Sequence, residues 1–198
     1  MGTLVSYALT NLSSLKEVLG IVTGDEDSLL TNIINRVTDI IESYCNGRRF
    51  ASTVYADEEY DGTGTMRVNA RHFPITAVTA YEGNDGRAGN ADWNSLQSDS
   101  VRYIDDGQGP GQFYYSPGFV VGTRNYRFSY TAGYATIPYD LEEACIQLCT
   151  WIYTDRKNKG MKAETLGEYS YTKESFTGNV IENLGIDLIL EKYRIPTI

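Results

Sequence analysis

YTAGYATIPYDLEEACIQLCTWIYTDRKNKGMKAETLGEYSY, residues 130–171, is the stretch on which the reading of this chain turns. It joins the end of a strand to a helix opened by Pro138, and it leaves that helix into a tyrosine-rich segment. Asp140 with Glu143 three residues on has the spacing of a capping box. Leu141, Ala144, Cys145, Leu148, Trp151 and Ile152 recur at helical spacing as an apolar stripe. Lys157 and Lys159 sit near the helix's negative end and Gly160 stops it. Residues 161–178 are polar and read as a loop or extended arm. No usable catalytic side chain occurs in the stretch, which points away from chemistry and toward assembly.

On its C-terminal side one last helix is expected from about Ile181 to Tyr193, burying Ile186, Ile189, Leu190 and Tyr193, with Pro196 preventing continuation. On its N-terminal side lies a β-prone region. Residues 51–137 are rich in glycine and tyrosine and show no helical period. Short runs at Thr53–Tyr55, Met66–Asn69, Ile75–Tyr81, Val101–Ile104, Gln112–Tyr115 and Tyr126–Tyr130 read as strands separated by Gly/Asp/Asn turns. Farther upstream, Ser13–Leu19 reads as a short helix with a serine N-cap and Gly20 as its stop. Glu26–Asn46 is the clearest amphipathic helix. Leu29, Leu30, Ile33, Ile34, Val37, Ile40, Ile41, Tyr44 and Cys45 form its stripe, and Gly47 its C-cap. Asp25, Glu26 and Asp27 are explained as charges at its positive end.

The fold class is therefore α+β: a small bundle of three to four helices, with an antiparallel β subdomain inserted between the long second helix and the third. The expected division is 1–50 for the N-terminal helices, 51–137 for the β subdomain, and 138–198 for the C-terminal helices and an arm.

Composition narrows the function. A net charge of −9 argues against gripping nucleic acid by neutralising phosphates. An acidic wall can still let DNA pass, because it repels the phosphates. Three cysteines are too few and odd in number for a disulfide framework, and they read as buried thiols in a reducing compartment. The N-terminus lacks the features of a signal peptide, and no window of 18 apolar residues occurs, so the chain is expected to be soluble with no membrane role.

Candidate chemistry is thin. His72 is the single histidine, which removes most Ser-His-Asp, Cys-His and His-metal schemes. The acidic run Asp57, Glu58, Glu59, Asp61 lacks the ligand register of a calcium loop and reads as a solvated strand edge. Gly107-Gln108-Gly109-Pro110-Gly111 lacks the Lys-Ser/Thr of a phosphate cradle and reads as a hairpin loop. No catalytic residue, cofactor or metal is assigned. Of the 16 tyrosines, Tyr81, Tyr103, Tyr126 and Tyr130 suit sheet packing. Tyr169 and Tyr171 have no such explanation and suit an interface.

Several motifs in order carry a resemblance. Leu15-Lys16-Glu17-Val18-Leu19-Gly20-Ile21 is followed by a helix ending Ile41-Glu42-Ser43-Tyr44-Cys45-Asn46-Gly47-Arg48-Arg49-Phe50. Then come Tyr60-Asp61-Gly62, Phe73-Pro74-Ile75-Thr76-Ala77-Val78, and the junction Tyr130 to Leu141. Glu164-Thr165-Leu166-Gly167-Glu168-Tyr169-Ser170-Tyr171 and Leu190-Glu191-Lys192-Tyr193-Arg194-Ile195-Pro196 close the series. The chain so resembles the head–tail connector (adaptor) proteins of tailed bacteriophages, the gp6-like family. The departure is a longer insert from about Gly83 to Gly122.

The resemblance implies a non-enzymatic ring, usually of twelve subunits, beneath the portal protein in the virion neck. Such a ring assembles in the host cytoplasm, extends the DNA channel without binding the genome specifically, and presents a surface to the stopper or tail protein. It implies a portal-facing arm, Ala163–Phe176 with Tyr193–Ile198. The candidate interface residues are Leu166, Glu168, Tyr169, Tyr171, Phe176, Tyr193, Arg194, Ile195 and Ile198. The alternative is a carbohydrate- or surface-binding β module of a phage or bacterial surface structure, with Trp93 as a stacking platform.

Overall fold

A computed structural model describes residues 2–84, 92–96, 100–104, 111–157, 163–166, 169–172 and 180–194. The class is α+β, and the chain divides into two units: residues 1–48 with 137–198, and residues 49–136.

The first unit is helical. Helix α1 (Leu12–Leu19) is capped by Asn11, whose side chain accepts from the Ser14 N–H, rather than by the expected serine. Gly20 ends it in the left-handed region at φ 68°, and the Gly20 and Ile21 amides donate back to Glu17 and Lys16. Helix α2 (Asp27–Tyr44) buries Leu30, Ile33, Ile34, Val37 and Ile41. At its end the Gly47 amide returns to the Glu42 carbonyl. Helix α3 (Tyr139–Lys157) lays Leu141, Ala144, Cys145, Leu148 and Cys149 into the same core. Each such large apolar side chain contributes about 1.5–3 kcal/mol by leaving water.

Two further sequence expectations for this unit fail. Capping by the acidic triplet before α2 is one: Asp27 stands in the first turn, but Glu26 makes no side-chain cap bond. Its carboxylate instead accepts from the Tyr153 hydroxyl and, at 2.5 Å, from Arg156, while Asp27 pairs with Lys16 at 2.6 Å. Nor is the last element one helix. It is α4 (Val180–Asn183) and α5 (Asp187–Glu191), because Gly185 at φ 69° turns the chain between them. Five helices therefore stand among the described residues.

The second unit is antiparallel β. A four-stranded sheet has the order β1-β7-β3-β4, built from β1 (Thr53–Gly62), β3 (Ile75–Gly83), β4 (Asn94–Ser95) and β7 (Gly122–Ala132). A three-stranded sheet has the order β2-β6-β5, from β2 (Arg67–Asn69), β5 (Val101–Ile104) and β6 (Gln112–Tyr115). Tyr60, Phe113, Phe119, Tyr126, Phe128 and Tyr130 make an aromatic core, with Phe113 and Phe128 ring centres 4.1 Å apart. Tyr81 and Tyr103 pack against it half-buried. The unit's two ends meet: Ala51 bridges Tyr134, whose amide donates to the Phe50 carbonyl at 2.7 Å.

The segment expected as a loop carries strands. β8 (Ala163–Leu166) pairs antiparallel with β9 (Tyr169–Thr172) as a two-stranded ribbon.

Candidate partner interface

In the ribbon, pairing places Leu166 opposite Tyr169 and Glu164 opposite Tyr171. Three expected interface residues, Leu166, Tyr169 and Tyr171, thus share one hairpin. Glu168, Phe176, Ile195 and Ile198 lie outside the described residues. Tyr193 and Arg194 follow α5.

Tyr193 is not free to reach a partner. It is buried, its hydroxyl donates to Asp140 Oδ1 at 2.6 Å, and its carbonyl accepts from the buried Arg48 at 2.7 Å. Lys192 completes the clamp, 2.7 Å from Asp140 Oδ2. Burial raises the Asp140 pKa, but the contacts from Lys192 and Tyr193 outweigh it and hold the carboxyl below its usual range. Asp140 therefore serves the C-terminal helix instead of a capping box; its own local bond goes only to the Leu141 amide. Arg194 is exposed, 3.1 Å from Glu191, with its guanidinium 5.7 Å from the centre of the Tyr44 ring. Of the two, only Arg194 presents its side chain outward.

The acidic run of β1 contains a group that sequence reading missed. Glu58 is turned inward and accepts from Tyr60 at 2.7 Å and from Tyr130, with His72 Nε2 at 3.3 Å and Arg71 at 3.5 Å. Burial pushes its pKa up. The hydrogen bonds from His72, Tyr130 and Tyr60 overcome this and bring it down to about 2. His72 is stacked on Tyr55, ring centres 3.8 Å apart. Every member of the cluster is engaged by another member, so the arrangement ties β1 to β7 and to Arg71 and His72. The rest of the run behaves as an exposed edge: Glu59 pairs with Arg124 at 2.8 Å, and Asp61 accepts from the Arg124 amide. Among the described residues no group of three or more His, Cys, Asp or Glu side chains is placed to hold a metal ion.

Trp93 is half-buried under the Arg127 guanidinium, 4.5 Å from the ring centre, and Arg127 is itself paired with Glu82. One face of the indole is therefore taken by Arg127. No helix among the described residues is long and apolar enough to cross a membrane.

A search of curated proteins by sequence finds no match. Among solved structures, a chain from "Neck of empty GTA particle computed with C6 symmetry" (GTA, gene transfer agent) superposes with a TM-score of 0.59 at 15% identity. The match covers 99% of this chain and 94% of that one. The family model described as "HCP: Head completion protein" matches residues 8–195. That span takes in both units and nearly the whole sequence, so the chain belongs to the head completion protein family, as a head–tail connector of a phage-like particle.

Proposed function

We propose that this protein is one subunit of a closed ring at the head–tail junction of a virion, and that it works by joining parts rather than by catalysis. The family match over residues 8–195 carries the reading. The similarity in fold to a neck computed with C6 symmetry supports a cyclic assembly, and a dodecamer is compatible with it. In this reading the ring docks on the portal protein, meets the stopper or tail protein on its other side, and passes DNA through a lumen that the net charge of −9 keeps from binding the genome. It forms in the host cytoplasm before it enters the particle.

The portal-facing arm is the β8–β9 ribbon with the chain beyond Tyr193. A two-stranded ribbon is marginal on its own in water. Among the described residues no third strand joins it, so a partner surface completes it. The Tyr169→Ala, Tyr171→Ala double variant is expected to dock on portal rings at least tenfold more weakly, as read by co-sedimentation, since aromatic anchors dominate interface energetics. Docking at wild-type strength would remove the arm assignment.

A further inference from the structure

The helical unit carries a groove of about 580 Å³ between α2 and α3. Its floor is apolar, from Leu29, Ile33 and Ile40 on one side and Trp151 and Ile152 on the other; Asn32 and Asp155 also line it, and Asp155 is already engaged. Arg36 stands at its rim, exposed and without an ion-pair partner among the described residues. Arg156, also at the rim, is already held by Glu26.

The same unit presents a matching projection. Helix α5 buries Ile186 and Leu190 against its own core and turns Leu188, 76% exposed, the other way. Beside it Asp187 has no ion-pair partner among the described residues, whereas Glu191 pairs with Arg194 and Asp140 with Lys192. An apolar side chain next to an unpaired acid fits an apolar groove next to an unpaired cation.

The projection cannot fill its own copy's groove. The Asp140 clamp ties the end of α5 to the first turn of α3, and Trp151 lies 11 residues farther along that helix, about 17 Å away. Contact between two different patches of one surface is heterologous, the kind of contact that closes into a ring when the rotation between copies closes.

We propose that the α2–α3 groove receives α5 of a neighbouring copy, with Leu188 inserted between Ile40 and Trp151 and Asp187 facing Arg36. This rests on the ring-forming reading above and gives it its copy-to-copy contact.

The test uses the full chain with Trp93→Phe, which leaves Trp151 as the only indole, and follows self-association by sedimentation velocity and by Trp151 emission. Emission is expected to shift to the blue as copies associate. Arg36→Asp and Asp187→Arg are each expected to weaken association about tenfold or more, and their combination to restore most of it. Leu188→Asp should abolish the shift. All four positions changed are solvent-accessible, and unchanged melting temperatures show that the variants are folded. Oligomers that form at wild-type strength in Arg36→Asp and Leu188→Asp overturn the groove contact and leave the ring reading standing. A wild-type chain that stays monomeric at about 1 mM overturns the groove contact as well; the portal-docking experiment then judges the ring reading by itself.

Discussion

Glu58 shows how one backbone detail can hide a residue's role. Tyr55 packs on the β core and Tyr60 lies within it, yet they are an odd number of positions apart, which strict alternation forbids. The register shift between Tyr55 and Glu58, with Asp57 at φ 53°, absorbs the difference and swings Glu58 onto the inner face. From sequence the run reads as a charged edge, and for Glu59 and Asp61 it is one. Nothing in the residue types announces the bulge. The consequence is measurable. The Glu58 pKa falls from 4.5 unfolded to about 2 folded. The ionised carboxylate therefore contributes its full stability above pH 4.5 and loses it as the pH falls toward 2, an effect of about 3 kcal/mol. His72, Arg71, Tyr60 and Tyr130 are the groups that face it. Glu58→Gln is expected to destabilise the chain by about 1–3 kcal/mol at neutral pH and to flatten acid denaturation between pH 4.5 and 2, as followed by circular dichroism.

At the scale of elements, the junction from Tyr130 to Tyr139 depends on Gly133. Its φ is 105°, and a Cβ there would lie 2.5 Å from the Ala51 carbonyl oxygen. Gly133→Ala is expected to cost more than about 2 kcal/mol, since backbone strain and a backbone clash add, and calorimetry would show it as a lowered Tm. Long periodic signals were legible: α2 and α3 lie where hydrophobic spacing places them, and the β-prone runs Val101–Ile104 and Gln112–Tyr115 are strands despite their four-residue length. Interrupted or polar elements were not. Gly185 splits a stretch that otherwise reads as one helix, because Ile186, Ile189, Leu190 and Tyr193 recur at helical spacing and carry no mark of the turn before them. β8 and β9 lie in a polar stretch without apolar alternation to mark a strand. Of the interface residues named from sequence, Tyr193 has an internal role that the sequence did not show. Its hydroxyl partner, Asp140, is 53 residues away, and no local pattern reports such a pair.

For the whole molecule, the β unit has its own aromatic core and ends that meet at the Ala51–Tyr134 bridge. Residues 49–136 made alone are expected to fold, giving dispersed amide resonances and a cooperative melt; a collapsed spectrum would show that the unit needs the helices. The helical unit hides a different property. Cys45, Cys145 and Cys149 are all buried. Burial pushes the Cys45 thiol up to about 11, and a hydrogen bond from the Cys145 thiol to Cys149, together with burial, raises Cys145 well above the usual thiol range. Buried as they are, the three thiols are closed to thiol reagents in the native protein. A single cysteine placed on the surface would then carry a single dye against a dark background. Bleaching steps counted on individual assemblies would give the number of copies in each, without removing a native residue.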